Sequence, residues 1–320
     1  MNLRWVLITA IAPVAWGTTY YVTQRYLPND HPLYGAAIRA LPAGLLLLLA
    51  SRTLPTASWW WRSLVLGALN MGAFFALVYV AAQRLPTSLA SSIMATGPIV
   101  MMLFAWALLS ARPQRPHVIG AGVGIVGVWL MLFAGTTSID VRGVSASAGA
   151  MLMASLGYVL AKRWGTNIEV LASTAWQLIA GGVLLVPVAV AVEGAPPRLD
   201  GVAVAGFGYV TVIATAVAFV AWFTGLRRLS AGTVGLVGLL NPVTGVLLGV
   251  VLGGEALTVR QLVGIIFVLV GVVLGGTAGA AIPPRSAQAP DTRTGPYCSK
   301  HPRIPDAPRP HAHAAPPTHP

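Results

Sequence analysis

The chain is poor in charge and nearly free of cysteine. Its 320 residues include 8 acidic side chains, 6 histidines and one cysteine, and charged residues make up 9% of the total. A lone cysteine, Cys298, excludes a disulfide framework within the chain and any cysteine-based metal site. There is no P-loop, no His/Asp/Glu metal cluster and no Ser–His–Asp set inside the apolar sequence. The piece "GAGVGIVG" (120–127) imitates a dinucleotide fingerprint but lies within an apolar span, where it reads as packing. These absences argue against an enzyme, and no cofactor or metal is expected. Polar sequence long enough to build a soluble domain is missing too.

What the chain has in quantity is apolar length. Hydrophobic residues make up 56% and the mean hydropathy is +0.75, which argues against a water-soluble globule. A membrane-crossing helix needs about 20 mainly apolar residues. Ten such stretches can be drawn, at 5–24, 34–50, 64–82, 88–109, 118–135, 144–162, 171–192, 203–225, 232–251 and 260–280. The expected fold class is therefore an all-α polytopic membrane protein. The small-x-small site at Ala10-Ile11-Ala12 comes too early to follow a signal-peptide core, so 5–24 reads as a retained helix.

The net charge of +12 would suggest nucleic acid in a soluble protein, but here the basic residues sit between apolar runs, where they orient helices. One alternating set of flanks holds Arg4, Arg52, Arg62, Arg112, Arg115, Lys162, Arg163, Arg227 and Arg228; the other holds Arg25, Arg84, Arg142, Arg198 and Arg260. That bias puts both termini in the cytoplasm of a multi-pass protein of the cell membrane. From 283 to 320 the composition turns to Pro, Ala, His, Arg and Thr and reads as a disordered cytoplasmic tail, its late histidines more simply solvated than metal-binding.

The sequence also repeats. Shifted by 144 residues, "RLPTSLASSIMATGP" (84–98) aligns without a gap on "RLSAGTVGLVGLLNP" (228–242), pairing Arg84, Leu85 and Pro98 with Arg228, Leu229 and Pro242. The same shift pairs Gly120 with Gly264 and Gly127 with Gly271. Spans 3–5 thus recur as spans 8–10, which divides the chain into a first unit at 1–137 and a second at 138–282. Five spans per unit is an odd number, so the two units should cross the membrane in opposite senses around a central cavity, as in secondary transporters.

With these features in place, the chain resembles the EamA family of the drug/metabolite transporter superfamily. The resemblance rests on Trp16-Gly17 in span 1, "AAIRALPAGLLLLLA" with Arg39 in span 2, the Pro98 and Pro242 pair, and the two five-span units. It implies a ten-helix basket around a central cavity, and carriers of amino acids and related metabolites that are often exporters. It also implies an acidic residue at the ends of spans 4 and 9. Glu255 fits the second position, whereas its counterpart by offset is Ala111.

Candidate site residues follow from polar or aromatic groups where lipid would not tolerate them. In span 1, Thr9, Pro13, Trp16, Tyr20 and Gln24 share one helix face. Pro13 frees a carbonyl, so this face needs protein or water opposite it. Trp16 and Tyr20 are either cavity wall or helix seam and interfacial belt. Arg39 is the basic side chain that falls inside a span; it suits an anionic substrate group, but could also snorkel or bond backbone carbonyls. Its approximate repeat counterpart is Gln177, beside Trp176. Ser92, within the ladder Ser88, Ser92 and Thr96, leads to the Pro98 break, and Asn241 stands before the Pro242 break, with substrate binding and interhelical glue both open. Tyr79, Tyr158 and Trp222 are aromatic candidates in spans 3, 6 and 8. Glu255 is a candidate coupling residue or a cap of span 10. Gly120 and Gly124, Gly245, Gly249 and Gly253, and Gly271 and Gly275 read as packing seams.

The leading function is thus a secondary transporter, an exporter of small metabolites such as amino acids, working by alternating access. The alternative is a multidrug or hydrophobic-cation exporter; a membrane enzyme or sensor fits less well. Expected partners are a small-molecule substrate and membrane lipid, with a homodimer left open and no nucleic acid.

Overall fold

The computed structural model describes residues 3–28, 30–85, 87–132, 140–254 and 256–278. Among them there is no strand. The first half runs α1 (Leu3–Tyr26), α2 (Pro32–Ser51), α3 (Trp59–Gly67), a π-helical turn (Ala68–Gly72), α4 (Ala73–Arg84), α5 (Thr87–Met94), α6 (Gly97–Leu109) and α7 (Arg115–Leu132). The second runs α8 (Val141–Trp164), α9 (Val170–Glu193), α10 (Gly201–Thr211), a π-helical turn (Val212–Val217), α11 (Ala218–Arg228), α12 (Ala231–Gly238), α13 (Leu240–Gly253) and α14 (Val259–Ala278). Joined where they are continuous, these helices give ten spans long and apolar enough to cross a membrane. Each overlaps one drawn from hydropathy. Outward residues such as Leu49, Leu103, Val251 and Val273 are exposed, which fits a surface facing lipid rather than water.

The two breaks have a common cause. Pro98 and Pro242 have no N–H to donate to the carbonyls of Met94 and Gly238, and α5 and α12 end at those two residues. Each proline then sits in the first turn of the next helix, where a missing N–H costs nothing. Pro13 behaves differently: α1 continues through it, so only one ladder bond is lost there.

Several elements begin at a common spacing. Adding 144 to the first residues of α5, α7 and the first π turn gives 231, 259 and 212, the first residues of α12, α14 and the second π turn. α8 and α9 begin 138 residues after α1 and α2, and the six-residue difference is absorbed by α9 and α10, which are four and two residues longer than α2 and α3.

Corresponding helices pack on each other, and they do so antiparallel. On α7 and α14, a Cβ at Gly120 would lie 2.5 Å from the Gly271 carbonyl oxygen, and one at Gly127 would lie 2.6 Å from that of Gly264. The contacts are reciprocal, since Cβ atoms at Gly271 and Gly264 would meet the Gly120 and Gly127 oxygens at 2.5 and 2.6 Å. Backbones this close leave room only for glycine. On α2 and α9, Gly44 approaches Ile179 while Gly182 approaches Leu41, again in opposite directions along the two helices.

Polar contacts then fix the two ends. At one end Glu193, the last residue of α9, accepts from the Leu33 and Tyr34 amides at 2.6 and 2.9 Å and so caps the start of α2. Asp140 caps α8 through the Gly143 amide at 3.0 Å and pairs with Arg84 at 3.3 Å. The Gly143 N–H holds the Asp140 carboxyl below its ordinary value of 3.8. The opposite end is rich in arginine: Arg4 and Arg228 flank the Trp5 ring, and Arg227 donates to the Ile168 and Thr166 carbonyls at 2.5 and 2.9 Å. Lys162 donates to the Leu226 carbonyl and, at 2.6 Å, to that of Leu229, satisfying carbonyls at the end of α11.

Candidate substrate site

Helix spacing builds an aromatic cluster between the halves. Phe219, Trp222 and Phe223 lie three and four residues apart on α11 and share one face. Against them, α1 sets Trp16, with ring centroids 5.1 Å from Phe219 and 5.2 Å from Trp222. From α8, Tyr158 approaches Trp222 at 5.3 Å and Phe223 at 6.1 Å. The angles between planes, 54–60° for the three contacts of Trp16 and Trp222, match the tilted pairing that aromatic quadrupoles prefer. Phe219, Trp222 and Phe223 are only 2–4% exposed, so a ligand reaches them only when helices separate.

Two buried polar atoms on the helices of this region lack partners. The Trp222 Nε1 donor and the Asn241 Oδ1 acceptor are both buried with no hydrogen bond among the described residues. Asn241 belongs to the wall around Trp16: a Cβ at Gly17 would lie 2.8 Å from the Asn241 carbonyl oxygen and 2.5 Å from the Thr244 Cβ. Trp222 turns the benzo edge of its indole, rather than Nε1, toward the same break, with Cη2 3.2 Å from where a Cβ at Gly238 would be. Buried polar groups are normally bonded, and an orphaned one costs about 1–3 kcal/mol.

A second polar arrangement links the halves through the π turns. Arg39 of α2 donates through Nε to the Thr215 hydroxyl at 2.9 Å and through Nη2 to the Ala214 carbonyl at 3.2 Å, both in the second π turn. Its guanidinium lies 5.3 Å over Phe75, a ring that packs on the same core as Trp16 and Tyr158. At the equivalent place on α9, 138 residues on, Gln177 accepts at 2.9 Å from Asn70 in the first π turn. Asn70 and Gln177 are fully buried, and Asn70 Oδ1 has no partner. Each half thus sends one long polar side chain onto a polar side chain in the π turn of the other, and π turns are frequent at functional sites.

The structure therefore sorts the sequence candidates. Trp16, Tyr158 and Trp222 come together with Asn241 beside them. Arg39 and Gln177 are engaged in the cross-half polar contacts. Trp176 stands elsewhere, paired with Trp59 at 5.6 Å and donating to the Thr53 carbonyl at 2.8 Å, and Tyr79 packs with the cluster around Leu33 and Tyr34. Ser92 is half-buried on α5. Tyr20 lies on α1, but its side chain is outside the described residues, as are Glu255 and the tail. Sequence reasoning passed over Phe219, Phe223, Asn70 and Thr215; the polar residues Asn70 and Thr215 inside strongly apolar runs were the available signal.

The family comparison agrees with this architecture. The model of the EamA-like transporter family matches twice, over residues 3–133 and 141–276, one match per half. The chain belongs to the EamA-like transporter family. It is accordingly a multi-pass membrane transporter of small molecules. Protein PecM of Dickeya dadantii is 37% identical over 259 residues, spanning 80% of this chain and 87% of that protein. The inner membrane transporter YedA of Escherichia coli, described as uncharacterized, is 28% identical over 256 residues, or 77% of this chain and 81% of YedA. The transporter YwfM of Bacillus subtilis, also described as uncharacterized, is 29% identical over 268 residues, covering 81% and 89% of the two chains. A solved crystal structure shares the fold with a TM-score of 0.74 at 20% identity, over 88% of this chain and 99% of that one.

Proposed function

We propose that this EamA-like transporter is a carrier, and an exporter, of small polar or amphipathic metabolites such as amino acids or related compounds across the cytoplasmic membrane, without enzymatic activity. The observation that carries this reading is the buried Trp16–Trp222–Tyr158 cluster, whose Trp222 Nε1 donor has no acceptor among the described residues. A substrate offering a carbonyl or carboxylate to that donor satisfies it and packs on the rings.

Alternating access follows from inversion of the two five-span halves. The antiparallel run of α7 against α14, and of α2 against α9, supports that inversion, because repeat-related helices that run opposite ways belong to oppositely oriented halves. Rocking about these glycine seams would open the buried cluster to one face at a time. The gathering of Arg4, Arg62, Lys162, Arg163, Arg227 and Arg228 at one end supports a cytoplasmic location of that end and of both termini. Glu255 is the candidate coupling residue, its carboxylate taking up the proton.

A second reading is export of hydrophobic cations. It is favoured by one feature: the aromatic faces of Trp16, Tyr158 and Trp222 suit a cation. Uptake and efflux of amino acids, nucleosides and cationic dyes in proteoliposomes, with and without an imposed pH gradient, separate the two. Saturable transport of amino acids or nucleosides is the expected result, saturable transport of dyes alone would replace it with the second reading, and no transport of any class would overturn both. Loss of the gradient effect in Glu255→Gln is expected if that carboxylate couples, and an undiminished effect would remove it.

A further inference from the structure

The arginine-rich end holds a cavity that the proposed transport site does not use. It has a volume of about 610 Å³, and no member of the aromatic cluster lines it. Its walls are Trp59 and Arg62 of α3, Arg163 and Trp164 at the end of α8, and Thr166 and Asn167 of the loop into α9. The size is that of a small-ligand site.

Three observations give this cavity a preference for anions. First, the Arg62 guanidinium is held among three indole rings, 5.8 Å from Trp59, 5.6 Å from Trp61 and 5.7 Å from Trp164, and Trp61 and Trp164 meet edge to face at 5.2 Å. Rings fix the orientation of a guanidinium without neutralising it, so its charge stays available. Second, Arg62 Nε is buried with no acceptor, and neither Arg62 nor Arg163 is bonded to a carboxylate among the described residues; the Arg84–Asp140 pair is at the other end. Third, Arg227 ties down the loop by its bonds to the Thr166 and Ile168 carbonyls, so Thr166 and Asn167 present a hydroxyl and an amide from a held backbone.

The surroundings identify the source of the anion. Trp60, Trp61 and Leu64 next to the cavity are 64%, 51% and 50% exposed, at the end of a membrane span where an indole belt marks the headgroup level of a bilayer. We propose that the cavity binds the phosphate of an anionic phospholipid headgroup, with Arg62 and Arg163 on the phosphate oxygens, Thr166 and Asn167 on the headgroup hydroxyls, and the indoles against the glycerol and first acyl carbons.

The test is native mass spectrometry of the full chain released from micelles containing equal phosphatidylglycerol and phosphatidylcholine. The wild type should retain phosphatidylglycerol preferentially. Arg163→Gln, an exposed site whose change leaves the packing intact, should reduce that retention about fivefold, and Arg62→Gln/Arg163→Gln about 25-fold, following the usual contribution of each basic residue near an anionic surface. Equal retention of the two lipids, or unchanged retention in Arg163→Gln, would overturn the proposal. Millimolar inorganic phosphate distinguishes the sources: a lipid that stays bound supports the headgroup assignment, and a lipid displaced by phosphate alone overturns it in favour of a soluble anion.

Discussion

Replacing Trp222 by Phe separates recognition from packing. Phe keeps an aromatic ring on the side of Trp16 and Tyr158, which lie 5.2 and 5.3 Å from the Trp222 ring, while the Nε1 donor disappears. That donor is buried and unbonded among the described residues. Its removal relieves an unsatisfied group worth about 1–3 kcal/mol, which offsets the loss of apolar area from the smaller ring. Stability, read as the midpoint of thermal unfolding in detergent, should therefore change little. Substrate binding should change more. A hydrogen bond from a neutral donor is worth about 1 kcal/mol net, and about 1.5–3 kcal/mol when the acceptor is charged. The KM for transport should rise about fivefold for a neutral acceptor and tenfold or more for a carboxylate. The assay is initial transport rate against substrate concentration in proteoliposomes, paired with the unfolding midpoint. An unchanged KM with a lowered midpoint would refute the reasoning and leave Trp222 as a packing residue.

Other perturbations test the scaffold around the site. Gly271→Ala places a methyl 2.5 Å from the Gly120 oxygen and should destabilise the α7–α14 seam by about 1–3 kcal/mol, less the gain of about 1 kcal/mol in helix propensity. Gly122→Ala on the open side of α7, where nothing lies within 4 Å, should be neutral or stabilising in the same melt. Lys162→Met keeps the stem but leaves the Leu226 and Leu229 carbonyls without their charged donor, and should lower the unfolding free energy by about 1.5–3 kcal/mol. Asp140 has a carboxyl held below 3.8, so its stabilising contribution is complete above that pH and is lost as pH falls through the lowered value. Melting curves should show an acid-side loss in the wild type that is smaller in Asp140→Asn, and equal slopes would count against the cap.

Local rules made part of this molecule legible and long-range packing supplied the rest. Hydropathy placed the ten spans, and proline chemistry placed the interruptions after Met94 and Gly238, because both depend on a few consecutive residues. The glycine pairs were visible as a repeat, although a sequence match does not say which glycine touches which; the contacts join Gly120 to Gly271 rather than to its own equivalent, Gly264. The π turns were not foreseen: Asn70 in "ALNMG" and Thr215 in "VIATAV" mark polar groups in apolar runs but not a change of helix type, and their partners Gln177 and Arg39 come from the other half. Arg39 illustrates the same limit: its isolation in an apolar span was evident, while its partners Ala214 and Thr215 lie more than half the chain away. At the site, Trp16 stood out by its helix face, whereas Trp222 gained its meaning only once its Nε1 was found buried without an acceptor.

The central claim, a carrier that exposes one buried site alternately, is tested most directly by counterflow. Proteoliposomes loaded with unlabelled substrate, and given a trace of labelled substrate outside, should accumulate label transiently above the equilibrium level, with rates that saturate and that fall in Trp222→Phe. Label that only equilibrates, at a rate linear in concentration and indifferent to the internal load, would contradict the account.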